Sequence, residues 1–180
     1  PLPGTRIEVR DLEDPARRLG IGEKGEICIY GPQVMAGYLD RPEETADVLK
    51  DGFLRTGDVG YMDEDGFFFL VDRIKDLIIC SGYNVYPRMI EEAIHLHPDV
   101  AEATVIGIPD AYRGQAPKAY VKLRDGATLD EKGLLAFLKD RLSPIEIPDA
   151  IEFRDKLPKT LIGKLSKKEL ADEARTEARP

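Results

Sequence analysis

The sequence predicts an α+β protein in two parts, β-rich over residues 1–74 and a small mixed α+β unit over residues 75–180. Three observations lead there. Short apolar or alternating runs recur between Gly, Pro and Asp turns in the first seventy residues. After Asp72-Arg73-Ile74-Lys75-Asp76 the period changes, and strand-like runs alternate with runs at helical spacing. The composition, 42% hydrophobic and 33% charged over 180 residues, supplies apolar material for one ordinary core or two small ones.

In chain order, the first part holds strands at Arg6 to Arg10, Glu26 to Tyr30, Phe53 to Thr56 and Phe67 to Val71. One helix interrupts them: Pro42 suits a first helical turn, and Glu43 and Glu44 place carboxylates at the positive end of its dipole. Asp63-Glu64-Asp65-Gly66 is a turn that folds Val59-Gly60-Tyr61 onto the Phe67 strand as a hairpin. The second part opens with a strand at Leu77 to Cys80 and a helix from Pro87 to Leu96, whose Ile90, Ala93, Ile94 and His97 follow at helical spacing. Strands at Ala103 to Ile108 and Ala116 to Leu123 come next. Leu134, Leu135, Leu138 and Leu142 give a further helix an apolar face. Ile151-Glu152-Phe153 and a last helix from Ser166 to Ala174 complete the unit.

The net charge of -8 argues against a nucleic-acid partner, because phosphate backbones are bound mainly by Lys and Arg. Locally the balance reverses. Arg154, Lys156, Lys159, Lys164, Lys167 and Lys168 stand against the single acid Asp155, a field that suits an anionic ligand and equally a solvated basic face. Cys28 and Cys80 both fall in apolar strands and read as packing residues; no disulfide is expected, in keeping with a reducing cytosol. No apolar run reaches the roughly 20 residues needed to cross a bilayer, and Pro1-Leu2-Pro3-Gly4 is unlike a signal peptide, so a cytoplasmic protein is expected. His95 and His97 are two apart on a predicted helix and point to different faces, so no metal site is expected.

Four segments invite a chemical reading beside a structural one. Arg55-Thr56-Gly57-Asp58 ends a strand where Gly57 lets a backbone approach a ligand and Asp58 offers a carboxylate to two ribose hydroxyls; a plain Thr-Gly-Asp turn reads the same way. In Asp72-Arg73-Ile74-Lys75-Asp76, Arg73 offers a fork of donors to ribose or phosphate, and a surface salt-bridge cluster is the alternative. Ser81-Gly82-Tyr83-Asn84-Val85-Tyr86-Pro87 is a loop between strand and helix, with Gly82 and Asn84 tolerating unusual backbone angles. Leu157-Pro158-Lys159-Thr160-Leu161-Ile162-Gly163-Lys164 has no strong period and reads as an extended loop presenting Lys164.

In this order the four segments resemble the adenylate-forming superfamily of acyl and aryl coenzyme A ligases, luciferases and peptide-synthetase adenylation domains. Gly25-Glu26-Ile27, Met35-Ala36-Gly37-Tyr38 and Val100-Ala101-Glu102-Ala103 resemble it too. SGYNVYP with Ile90-Glu91-Glu92 is most similar to bacterial fatty-acyl ligases. The resemblance implies that residues 1–74 are the last β-rich subdomain of a large adenylating domain and residues 75–180 the mobile carboxy-terminal domain. It implies that Asp58 and Arg73 bind the nucleotide ribose, that Lys75 is the hinge, and that Lys164 is the catalytic lysine of adenylation. It places Ser81, Gly82 and Tyr83 along the channel for the pantetheine thiol of coenzyme A.

The function so implied is that of a fatty-acid coenzyme A ligase: acyl adenylation, then thioester formation. The alternatives are an aryl ligase, an adenylation domain loading a carrier protein and, from another class, a non-catalytic binding or regulatory module. Ile162 stands where the family usually has Thr or Ser, and Lys167 and Lys168 replace its Arg-rich ending. The family's Gly/Ser/Thr-rich phosphate loop, its acidic ATP motif and the acyl pocket have no counterpart here. The resemblance therefore implies a carboxy-terminal fragment lacking its amino-terminal domain and inactive alone. ATP, Mg²⁺, coenzyme A and the carboxylic acid would belong to the full-length enzyme, with none held tightly by this chain.

Overall fold

The first strands form an antiparallel sheet because each alternates apolar and polar side chains between turn residues. The structure, a computed structural model, describes residues 2–177. Strands β1 (Arg6–Arg10), β2 (Gly25–Tyr30), β3 (Leu49–Lys50), β4 (Phe53–Met62) and β5 (Phe68–Arg73) make a five-stranded sheet ordered β1-β2-β4-β3, with β5 also paired to β4. Helix α1 (Pro42–Val48) carries Pro42 in its first turn, with Glu43 and Glu44 at its positive end. The expected β4–β5 hairpin is present, closed by Asp63 and Gly66. Val9, Ile27, Cys28, Phe53, Val59 and Val71 are buried. Phe67, Phe69 and Leu70 of the apolar hairpin face outward.

The chain divides into two units, Pro1–Lys75 and Asp76–Pro180, at a 3-10 turn over Ile74–Asp76. The second unit holds β6 (Ile78–Cys80), β7 (Tyr83–Val85), α2 (Pro87–His95), β8 (Val100–Asp110), β9 (Gly114–Leu123), α3 (Glu131–Lys139), β10 (Ala150–Phe153) and α4 (Lys167–Glu177). Its sheet is ordered β10-β9-β6-β7, with β8 antiparallel to β9 over its whole length and β10 parallel to β9.

Side chains alternate across β9. Ala119 and Val121 pack with Ile90, Ile94, Leu134 and Leu138 from α2 and α3, while Tyr120 packs on the opposite face with Leu157 and with Leu170 and Ala174 of α4. Leu134 and Leu138 are fully buried, each contributing on the order of 2 kcal/mol by area. Asp130 caps α3, its carboxylate accepting from the Gly133 N–H at 2.8 Å. Cys28 and Cys80 are buried free thiols, and burial pushes the Cys28 thiol up to about 11.

Three local expectations are corrected. Arg55-Thr56-Gly57-Asp58 does not end a strand; β4 runs through it. Opposite it, Glu26 and Cys28 of β2 pair with Val59 and Arg55, so β4 carries two extra residues as a bulge that absorbs the turn-like glycine. The segment after Cys80 is not a loop up to the helix. Tyr83–Val85 is a strand paired with β6, and only Ser81 and Gly82 turn, with φ of 51° and 81°. Two successive positive φ angles are the signature of a two-residue I′ hairpin, and Asn84 lies in the strand. The lysine segment is not extended either: Lys159 bridges Leu165, which makes it a small hairpin.

Candidate functional site

The nucleotide-side candidates meet on β4 and β5. Asp58 lies directly opposite Arg73 in the ladder, and Arg73 Nε stands 3.4 Å from Asp58 Oδ1. Arg73 is 61% exposed and Asp58 32%, so the pair faces water and a ligand could reach both.

Glu26 sets the backbone between them. Its carboxylate, almost sealed from solvent, accepts from Arg55 Nε at 2.7 Å and from the Gly57 N–H at 3.1 Å. The Thr56 hydroxyl donates to the Ile27 carbonyl at 2.7 Å and accepts from the Asp58 N–H at 3.1 Å. Gly57 has φ +72° and nothing within 4 Å of where a Cβ would sit, so the glycine is required by its backbone angle and not by space. A cavity of about 470 Å³ opens here, with Glu26, Arg55, Gly57, Arg73 and Lys75 in its wall. The sequence marked Asp58 and Arg73 but gave Glu26 no role. Its signal is a carboxylate inside the apolar run of β2, and its meaning depends on Arg55 being on the neighbouring strand.

In the second unit the lysine hairpin is held by Thr160. The Thr160 N–H donates to the Lys164 carbonyl at 2.7 Å, the Gly163 N–H to the Thr160 carbonyl at 2.8 Å, and the Lys164 N–H to Thr160 Oγ1 at 3.2 Å. Lys164 is exposed and has no ion-pair partner among the described residues. Its neighbours differ. Lys159 pairs with Glu102 at 2.9 Å, Lys167 with Glu91 at 2.8 Å, and Arg154 with Glu152 and Glu173. Side-chain hydrogen bonds to Glu173 and then Glu152 raise the Arg154 pKa. Three of the six cations read as one anion-seeking field are thus bonded to acids, Lys159 and Lys167 to ones distant in sequence. Leu161 and Ile162 at the tip are both exposed.

The Ser81–Gly82 turn is exposed, as is Tyr83. A Cβ at Gly82 would meet nothing within 4 Å, and its φ of +81° is what disfavours other residues. Among the described residues no group of three or more His, Cys, Asp or Glu side chains is placed to hold a metal ion, and no helix is long and apolar enough to cross a membrane.

Residues 89–164, which begin within α2 and end on Lys164, match the family model for the AMP-binding enzyme C-terminal domain. The chain is 54% identical over 151 residues to the long-chain-fatty-acid–CoA ligase of Bacillus subtilis (strain 168), which covers 84% of this chain and 27% of that protein. The structure of ATP-bound MatB from Rhodopseudomonas palustris superposes with a TM-score of 0.91 at 38% identity, over 99% of this chain and 35% of that one. In sequence and in fold the chain matches the carboxy-terminal part of adenylate-forming enzymes. With the feruloyl-CoA synthase of Amycolatopsis sp it shares 48% identity over 169 residues, 94% of this chain and 34% of the other. It therefore spans about a third of the length of the adenylate-forming relatives it matches, and corresponds to their carboxy-terminal part. The α+β architecture is the one the resemblance implied.

Proposed function

We propose that this chain is the carboxy-terminal part of an ATP-dependent fatty-acid coenzyme A ligase, and that residues 1–74 close its large domain while residues 75–180 form the mobile one. The observation that carries the reading is the pairing of Asp58 with Arg73 across β4 and β5, in a chain whose second unit presents Lys164 with no ion partner among the described residues. The Asp58 carboxylate accepts from ribose hydroxyls and Arg73 donates to the same sugar. In the first half-reaction the acid's carboxylate oxygen attacks the α-phosphorus of ATP and pyrophosphate leaves. Two anions approach each other there, and the Lys164 ammonium offsets their charge. In the second, the coenzyme A thiol attacks the acyl carbonyl, gives up its proton, and AMP leaves. The Ser81–Gly82 turn, with Tyr83 beside it, guides the pantetheine arm, and Lys75 is the hinge about which the second unit exchanges Lys164 for this turn.

Mg²⁺ fits this scheme as a companion of the nucleotide, because the phosphates supply most of its ligands. The partners proposed are small molecules, and the setting proposed is the cytoplasm. An aryl-acid ligase is the second reading, favoured by the 48% identity to a feruloyl-CoA synthase. A non-catalytic module is disfavoured by the intact set of Asp58, Arg73 and Lys164.

The test is pyrophosphate release and acyl coenzyme A formation by the full-length protein over a panel of fatty and aromatic acids. Lys164→Ala is expected to lose about a hundredfold or more in adenylation while still converting supplied acyl-adenylate to thioester. Wild-type adenylation by Lys164→Ala, or no activity with any acid, would overturn the reading.

A further inference from the structure

The Ser81–Gly82 turn is braced from a neighbouring hairpin and not only by its own strands. β6 meets β9 at the single register pair Cys80 with Gly114, which leaves the adjacent backbone donors of β6 to other acceptors. The Gln115 side-chain oxygen accepts from the Ile79 N–H at 2.8 Å, and the Arg113 carbonyl accepts from the Ser81 N–H at 2.8 Å. Arg113 is itself clamped. Asp110 Oδ1 accepts from its N–H at 2.7 Å, and its guanidinium bonds to Asp110 Oδ2 at 3.3 Å and to both carboxylate oxygens of Asp149, one of them at 2.9 Å. Asp149 is fixed in turn, its N–H donating to the Pro117 carbonyl at 2.9 Å. The chain of contacts therefore runs from Asp149, just before β10, and from the start of β9 to Ile79 of β6 and Ser81 of the turn. None of Gln115, Arg113, Asp110 or Asp149 lies on the turn or in the lysine hairpin.

We propose that Gln115 and Arg113 are positioning residues for the thioester half-reaction, acting through the place they give the Ser81–Gly82 turn. The assignment rests on the ligase reading above. An attacking thiol must arrive within a few tenths of an ångström of its line, and a displacement of about 1 Å can cost up to a hundredfold in rate. A carbonyl and a side-chain amide that fix two successive outward donors, at Ile79 and Ser81, remove that freedom. Lys164 depends on neither.

The experiment uses the full-length protein with Gln115→Leu, Gln115→Glu and Arg113→Ala, each assayed in both half-reactions. Gln115→Leu removes the acceptor for Ile79 N–H. It is expected to lower kcat for thioester formation from supplied acyl-adenylate about tenfold or more, with the adenylation rate kept. Gln115→Glu retains an acceptor oxygen and should restore most of that loss, which a merely structural role would not require. Arg113→Ala should follow Gln115→Leu. Amide hydrogen exchange over residues 77–85, read by mass spectrometry, should rise in Gln115→Leu and Arg113→Ala, and it provides a readout that does not depend on turnover. Equal loss in both half-reactions, no loss in either, a Gln115→Glu variant no better than Gln115→Leu, or unchanged exchange would each overturn the assignment. A wild-type protein that adenylates no acid overturns the ligase reading and the catalytic half of the assignment with it, whereas unchanged exchange in an active enzyme overturns the bracing alone.

Discussion

The bulge of β4 and the lysine hairpin carry two groups that the proposed function gives to adenylation, and they are built in opposite ways. At the bulge a sealed carboxylate, Glu26, holds Arg55 and the Gly57 N–H together, so Asp58 leaves a backbone fixed from inside the sheet. At the hairpin the fastening is on the surface: three bonds around Thr160 and flanking ion pairs from Lys159 and Lys167, with Lys164 itself unpaired among the described residues. A group that grips a ribose through every step profits from a rigid seat. A group needed in only one of two steps profits from a light one, because what must leave cannot be tightly held.

The largest way to break this contrast is Glu26→Ala. It leaves the Arg55 guanidinium and the Gly57 N–H without their acceptor in a mostly buried place, with an expected cost of about 3 kcal/mol that a denaturant titration would measure. A cost no larger than that of a surface change would mean the bulge is not held from inside. Next comes Gly57→Ala. With open space around the site, only the left-handed backbone angle is penalised, and a loss of about 1 kcal/mol is expected in the same titration, together with weaker AMP binding by calorimetry. Lys159→Ala should cost below about 1 kcal/mol, since its pair with Glu102 is partly exposed, and a larger cost would show the hairpin to be seated as firmly as the bulge.

The smallest expected effect is that of acid on the brace near Ser81. Hydrogen bonds from the Arg113 backbone and then the Arg113 side chain and the Tyr112 backbone hold the Asp110 carboxyl below its ordinary value of 3.8. A depressed carboxylate pKa stabilises the fold above that value and loses its contribution as pH falls through the folded pKa. An NMR titration of the Asp110 carboxyl should therefore have its midpoint below 3.8.

Much of this was legible in the sequence. The helices at Pro42 and Pro87, the Asp63 to Gly66 hairpin and the alternating strands follow from local signals, and the structure has them. Asp58 and Arg73 were separately ambiguous, and their meeting depends on β4 and β5 staying paired past a one-residue register shift between Val59 and Gly60, which the hairpin alone does not foretell. The misread segments share a cause. Glycine and serine look like the end of a strand or a loop in sequence, and a bulge or a two-residue turn uses the same residues without ending the pairing. Glu26, Glu91 and Glu102 were silent for a different reason, since a carboxylate declares its purpose only when the cation opposite it is known, and their partners stand 29, 76 and 57 residues away.

The alternation of side chains along β9 makes the strand a partition. Ile78, Cys80 and Val85, which flank the Ser81–Gly82 turn, belong to the packing on one side of it, while Leu157 and Leu165, which flank the lysine hairpin, belong to the packing on the other. The apolar packing of each side can vary on its own: a methyl group gained or lost beneath one turn repacks against its own helices and stops at the backbone of β9, and the Lys167–Glu91 pair remains as a polar link between α4 and α2. On the proposed function, a lineage could thus retune the handling of the thiol while its adenylation chemistry stayed as it was, and mutational scans of the two apolar clusters should read as nearly independent catalogues.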